Sequence, residues 1–425
     1  MHDRPRLCPL WLALLGILLS IGCADDETLP EPIRIGVIVS LSGDLGSIGP
    51  HLQQSAELAA REINASGGLL DGRPIELVVE DDRTDATQAR TVAERLVRDE
   101  RVVAVVGSLA SSASLEIQTV TGPAEVPQVS CCSTSEDLTT AQDAENRFLF
   151  RTVPSDILQA GIIARYARDN AMCTRLAVMH LDDSYGNPFG NAIRGNFETG
   201  GGTVVAQVAF PSGRPSYATE VQMAANATPD CIALVAFTES GGFVLRDWNA
   251  LPTPPDVTWI GTDGMRDAGF VEAAGDPRIA DGFVGTAPIT APATEQYNDY
   301  AGNFFATYGR EAGIFGGNQY DATALLALAI ERSSSTEGPA IRQALREVAT
   351  PGAEAGEPFF GPAELGTALT ALRSGRDVNY DGASGPVDFD ASGNVVSNYE
   401  IWRYDANANA FTRDEVIQAS TLTDS

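Results

Sequence analysis

The sequence predicts an α/β protein of two lobes, each a doubly wound parallel sheet, joined by plain strand-like crossings that act as a hinge. Three observations carry this. From residue 33 onward short apolar runs alternate with longer amphipathic stretches, the pattern of parallel strands covered on both faces by helices. A chain of 425 residues is long enough for two separate cores. The alternation pauses at residues 148–152 and starts again, with no Pro- or Ser-rich tether between the halves.

In the first half, residues 33–39 form a strand and the loop 40–49 leads to a helix through Glu62. Asn64-Ala65-Ser66-Gly67-Gly68 ends that helix with the residues a left-handed cap prefers. A strand at 75–79, a helix at 85–99 and a strand at 102–106 follow. That strand stops at Gly107, and a helix-like pattern opens with Ser111, Ser112 or Ser114 available as its cap. Unpaired N–H groups and partial positive charge at a helix start suit a carboxylate or phosphate, although a plain capped turn explains the same residues. Residues 127–130 form a short strand ending in Cys131-Cys132-Ser133-Thr134-Ser135, and 148–152 close the half.

The second half repeats the theme. Helices are expected at 157–167, 185–198, 217–226 and 242–249, between strands at 176–181, 203–210, 231–237, 257–261 and 283–286. Helices at 295–308, 318–332 and 339–348 follow, and the chain closes on a hairpin of 399–404 with 411–417.

The formal charge of −29 argues against a nucleic-acid partner. All 28 basic residues are arginine. Arg4 and Arg6 precede an apolar run from Leu7 to Ile21, too short for a comfortable membrane span, followed by Gly22-Cys23 and an acidic, proline-containing stretch. This reads as a lipoprotein signal over 1–22, with Cys23 acylated and 23–32 a tether; plain secretion and an uncleaved anchor are the alternatives. Outside the cytoplasm disulfides become possible. Cys173 and Cys231 each open an expected strand, and a bond between them is expected if those strands are parallel neighbours. Adjacent Cys131 and Cys132 would need a strained ring, so two separate buried thiols are expected.

No Gly-x-Ser-x-Gly elbow or His-Glu-x-x-His occurs, which leaves a hydrolase without support. His180-Leu181-Asp182-Asp183-Ser184 reads as a strand-end turn, and Asp81, Asp82 and Asp85 as a solvated edge and helix cap. Asp377-Val378-Asn379-Tyr380-Asp381-Gly382 begins like a calcium loop, but Asp388 is a short twelfth ligand and its flank reads as strand, so a crossing turn is preferred. No metal and no cofactor is expected.

Several ordered motifs resemble one family. Glu62-Ile63-Asn64-Ala65-Ser66-Gly67-Gly68, Gly72-Arg73-Pro74-Ile75-Glu76-Leu77 and Glu80-Asp81-Asp82 are similar to the first domain of bacterial branched-chain amino-acid binding proteins, the type I periplasmic receptors of ABC importers. Phe150-Arg151-Thr152-Val153-Pro154-Ser155-Asp156, Asp182-Asp183-Ser184-Tyr185-Gly186 and Gly261-Thr262-Asp263-Gly264 extend the likeness from about residue 33 to 404. The resemblance implies three crossings, near 152–154, 286–288 and 385–389. The lobes are then 33–152 with 287–385, and 153–286 with 386–425.

By the same resemblance Ser111 and Thr134 take the positions that hold a ligand α-carboxylate, with Ser112 and Ser133 as weaker candidates. Cys132 falls where a backbone carbonyl accepts from the α-ammonium, and Asp263 on the acidic position that pairs with it. Tyr185 and Phe237, or Thr238 beside it, match aromatic positions of the second lobe, and Ile48 an aromatic of the first loop. Tyr185 reads equally as a core or lid residue. The cysteine pair of some relatives is absent at Thr84 and Ala110, which makes Cys173 and Cys231 a replacement staple.

The implied function is a monomeric, lipid-tethered capture protein that delivers an amino acid, branched-chain or related, to an ABC permease. The alternative is a receptor module of the same fold that senses a small molecule through a signalling partner. The charge generates its own expectation. An acidic, lysine-free surface repels itself less when salt screens it. The melting temperature should therefore rise between low and high NaCl, as followed by circular dichroism.

Overall fold

The structure, a computed structural model, describes residues 1–2, 30–141, 147–349 and 359–421. The apolar run, Cys23 and most of the expected tether lie outside the described residues. Among the described residues no helix is long and apolar enough to cross a membrane.

The first lobe is built on β1 (Ile33–Val39), α1 (Gly49–Ala65), β2 (Ile75–Asp81), α2 (Ala86–Arg95), β3 (Ala104–Gly107), α3 (Ser111–Thr121), β4 (Gln128–Ser130), α4 (Asp137–Thr140) and β5 (Leu149–Arg151). Its five strands are all parallel, in the order β2-β1-β3-β4-β5. β1 is buried along nearly its whole length because helices cover both faces, which is why it reads as an unbroken apolar run. α1 turns Leu52, Ala56, Ala59 and Ile63 inward, the spacing of one helical face. At its end the Asn64 side chain accepts from the Ile75 N–H and donates to the Ile75 carbonyl, at 2.7 and 2.9 Å, while Gly67 and Gly68 take positive φ.

The second lobe follows as α5 (Asp156–Asp169), β6 (Arg175–Leu181), α6 (Gly186–Thr199), β7 (Thr203–Phe210), α7 (Ala218–Asn226), β8 (Cys231–Val235), α8 (Thr238–Asn249), β9 (Thr258–Gly261), α9 (Ala268–Ala274) and β10 (Val284–Pro288). The chain then returns to the first lobe with α10 (Glu295–Tyr308), α11 (Gly316–Ser333), α12 (Gly338–Val348), β11 (Phe359–Phe360), α13 (Leu365–Arg373), β12 (Asn379–Gly382) and β13 (Gly385–Pro386). α11 packs against α1 and is buried from Gly316 to Glu331, so its Ala- and Leu-rich centre has no polar face. The hairpin β14 (Tyr399–Asp405) and β15 (Ala410–Ile417) completes the second sheet, ordered β15-β14-β10-β9-β8-β6-β7. Its antiparallel edge is fixed by Trp402, whose indole lies over Gly285 where any Cβ would collide.

Three local expectations need correction. Cys131 and Cys132 are joined to each other, Cα–Cα 3.8 Å, because the turn after β4 brings both sulfurs to one side. α3 is capped by the extended backbone of Ala110 without a side chain; Ser111 is its first residue, and Ser114 turns inward to accept from the Ser108 N–H at 2.9 Å. Asp82 is not solvated: it is fully buried and accepts from Ser40 at 2.7 Å and from Ser108, while Asp85 does cap α2 through the Gln88 N–H at 2.7 Å. The calcium-like stretch runs into β12, and its Asp377 pairs with Arg332 at 2.7 Å.

Cys173 and Cys231 are joined, Cα–Cα 5.9 Å, where β6 and β8 run parallel with Leu176 opposite Cys231. The bond closes a loop with a sequence separation of 58. Replacing both cysteines by alanine should lower unfolding stability by about 4 kcal/mol through loop entropy, measured by urea titration.

Candidate functional site

The carboxyl ends of the parallel strands in both sheets face one another, and the loops leaving them form a cleft, where open α/β sheets bind ligands. A cavity of about 20 Å³ lies between these loops. Its wall takes Leu45 and Ile48 from the loop after β1, Leu109 and Ser111 from the start of α3, and Cys132 and Thr134 from the turn after β4. The second lobe adds Tyr185 after β6, Phe237 after β8, and Asp263 with Gly264 after β9. Phe315, at the start of α11, completes it in a left-handed backbone conformation with φ +61°.

Ser111 and Thr134 are almost fully buried. The Ser111 hydroxyl accepts from the Ser135 N–H at 3.3 Å, which leaves its proton free to donate into the cavity. Across the cleft, Asp263 opens a short 3₁₀ turn and is 3% exposed. Its Oδ1 accepts from Gln159 Nε2 at 2.9 Å and lies 3.4 Å from the Tyr185 hydroxyl, which itself donates to Thr262 Oγ1 at 2.9 Å. Gln159 is held in turn by the Thr286 carbonyl and hydroxyl, at 3.1 and 3.0 Å. No arginine pairs with Asp263 among the described residues. Burial pushes its carboxyl up to about 6, against the opposing pull of Gln159, its own backbone and Tyr185.

Asp156, the first residue of α5, sits behind Thr134, whose carbonyl accepts the Asp156 N–H at 2.9 Å. Burial and then the charge of Asp263 hold its carboxyl well above the usual range, with the Thr134 hydroxyl and Arg151 opposing. Tyr185 stacks on Phe237, ring centroids 5.4 Å apart and planes 9° from parallel, and meets Phe189 edge-on at 5.7 Å. The cleft is therefore polar at its two ends, a hydroxyl pair on one lobe and a carboxylate on the other, with an apolar wall between.

Seven of the residues singled out in the sequence meet in this cavity: Ile48, Ser111, Cys132, Thr134, Tyr185, Phe237 and Asp263. Ser112, Ser133 and Thr238 are not on its wall. Ser112 is half-buried beside it. The Ser133 hydroxyl turns inward to the Ser108 and Leu109 carbonyls at 3.2 and 3.1 Å, and Thr238 donates to the Asp44 carbonyl at 2.6 Å. Leu45, Leu109, Gly264 and Phe315 were not anticipated, nor was the support from Gln159. The available signal was Gln159 itself, an amide that shares the buried face of α5 with Asp156 and otherwise apolar residues.

A family model described as periplasmic binding protein matches residues 32–408. The chain therefore belongs to the periplasmic binding protein family, whose members bind rather than catalyse and work outside the cytoplasm. It is 26% identical over 337 residues to a Leu/Ile/Val-binding protein of Rhizobium johnstonii, covering 79% of this chain and 89% of that one. It is 24% identical over 414 residues to a chemotactic signal transduction system substrate-binding protein of Halobacterium salinarum, covering 93% and 92%. Among solved structures, a leucine-binding protein of Thermotoga maritima superposes with a TM-score of 0.76 at 22% identity, covering 92% of this chain and 99% of that one.

Proposed function

We propose that the chain captures an α-amino acid with an apolar side chain between its two lobes and hands it to an ABC permease, from a lipid anchor at Cys23. The observation that carries this is Asp263, a carboxylate buried with neutral partners only, facing the Ser111 and Thr134 hydroxyls across an apolar wall. A zwitterion complements both ends: its carboxylate takes the hydroxyl donors, and its ammonium takes Asp263 and the Cys132 carbonyl. Leu45, Ile48, Leu109, Phe237 and Phe315 leave the side chain only apolar contacts. The Rhizobium and Thermotoga relatives, named for branched-chain amino acids, support the choice. The lobes are taken as 33–152 with 287–385 and 153–286 with 386–425. Ligand loads when the lobes part, and binding then favours closure. The Halobacterium relative supports a second reading, in which the same capture reports to a signalling partner.

Calorimetry with leucine, isoleucine, valine and simple carboxylates tests the assignment; binding of a carboxylate but of no α-amino acid would overturn it. Ser111→Ala and Thr134→Ala should each weaken binding by about 1.5–3 kcal/mol while leaving the melting temperature within a few degrees. The pH profile is a separate check. A cationic ligand group lowers the Asp263 pKa from about 6, so bound and free states differ in protonation only below that value. Affinity should be full above pH 6 and fall as pH drops through it, and Asp263→Asn should give weak binding with a flat profile.

A further inference from the structure

Helix α8 starts at the cavity wall, directly after Phe237, but its N-cap residue offers no side-chain acceptor. The acceptor comes from the other lobe. Asp44, in the loop after β1, takes the N–H of Ser240, the third helical residue, on Oδ1 at 2.7 Å. That is the bond an Asp at the N-cap position ordinarily makes within its own helix. The Asp44 carbonyl accepts from the Thr238 hydroxyl at 2.6 Å and from the Glu239 N–H at 3.3 Å. Ser47 adds a hydroxyl contact to Thr238 at 3.4 Å. Asp44 is 3% exposed and Thr238 2%, whereas Ser47 and Glu239 at the edge of the contact are exposed.

The loop that presents Asp44 is fixed to its own lobe. Asp81 accepts from the Leu41 and Ser42 N–H groups at 2.9 and 3.3 Å, and the Leu45 N–H donates to Thr84 at 3.1 Å. Gly43 adopts φ +81° against the Arg83 carbonyl, where a Cβ would stand 2.1 Å from that oxygen. The neighbours of Asp44 in this rigid loop, Leu45 and Ile48, are cavity residues, yet Asp44 itself is not on the cavity wall. When the cleft opens, helix α8 loses its cap and Asp44 loses its donors together. Both groups are then satisfied only by water.

We propose that Asp44 is a positioning residue for capture: a helix cap lent by one lobe to the other, which sets how much of the free protein is closed and so how long ligand is retained. It acts through α8 and touches no ligand. The proposal rests on the amino-acid reading only through the leucine kinetics below. The loss of an N-cap side chain corresponds to a change of about tenfold in the closing equilibrium. Asparagine caps a helix as well as aspartate does, so charge removal alone should be tolerated.

Three proteins decide it: the full chain as wild type, Asp44→Asn and Asp44→Ala. Amide hydrogen exchange at Glu239 and Ser240, measured without ligand, should speed up about tenfold in Asp44→Ala and stay near wild type in Asp44→Asn, with the urea unfolding constant of the chain changed by no more than the same factor. With L-leucine as probe, Asp44→Ala should both take it up and release it about tenfold faster, because more of the free protein is open, and Asp44→Asn should behave as wild type. Unchanged exchange in Asp44→Ala, or an asparagine variant as impaired as the alanine one, overturns the proposal. If wild type binds no leucine, the amino-acid assignment fails while the exchange experiment still decides the cap.

Discussion

A carboxylate taken out of water without a cation beside it is costly, and this cleft is organised around one. Asp263 is held by an amide, a phenol and its own turn, each of which orients the oxygens without neutralising them. The support reaches back through Gln159 to Thr286 on β10, so the carboxylate is positioned by the sheet rather than by a mobile loop. A buried group poised this way is incomplete by itself. A cation placed beside it would recover the free energy spent in burying it.

The fold places the complementary groups with little further cost. Parallel strands all end on the same side, so each lobe offers a row of strand-to-helix turns, and the two rows meet. The polar wall groups Ser111, Thr134 and Asp263 all lie just past the end of a strand, and the aromatic stack of Tyr185 on Phe237 bridges two more such turns. Return of the chain through α10 to α13 ties the first sheet to residues far along the sequence, and Phe315 reaches the cavity by that route.

The α/β alternation was legible because the central strands β1, β3, β6 and β8 are buried almost throughout and most helices bury one face. Thr203–Phe210 and Glu295–Tyr308 begin and end where the apolar pattern does. The short β11 to β13 were not, since their two to four residues carry no readable period; α13 was missed although Leu365, Ala368, Leu369 and Leu372 keep helical spacing. Ser111 and Thr134 could be found from spacing around known motifs, whereas Ser133, identical in chemistry to Ser111, differs only in which way its turn points it. Asp44 and Phe315 escaped because their roles depend on partners separated by hundreds of residues, and no local pattern encodes such a meeting. The reading of Asp82 as solvated failed for a related reason: a charge run on paper became a buried acceptor for two serine hydroxyls once β3 lay beside β1.

One wall of the cavity is Cys132, covalently closed onto Cys131. A ring of that kind exists only where thiols are oxidised, so a chain folded in a reducing compartment presents two sulfhydryls and a freer turn in its place. The wall of this cavity thus depends in part on the redox state of the compartment in which the chain folds. Its shape records where the molecule matured as well as what its residues are.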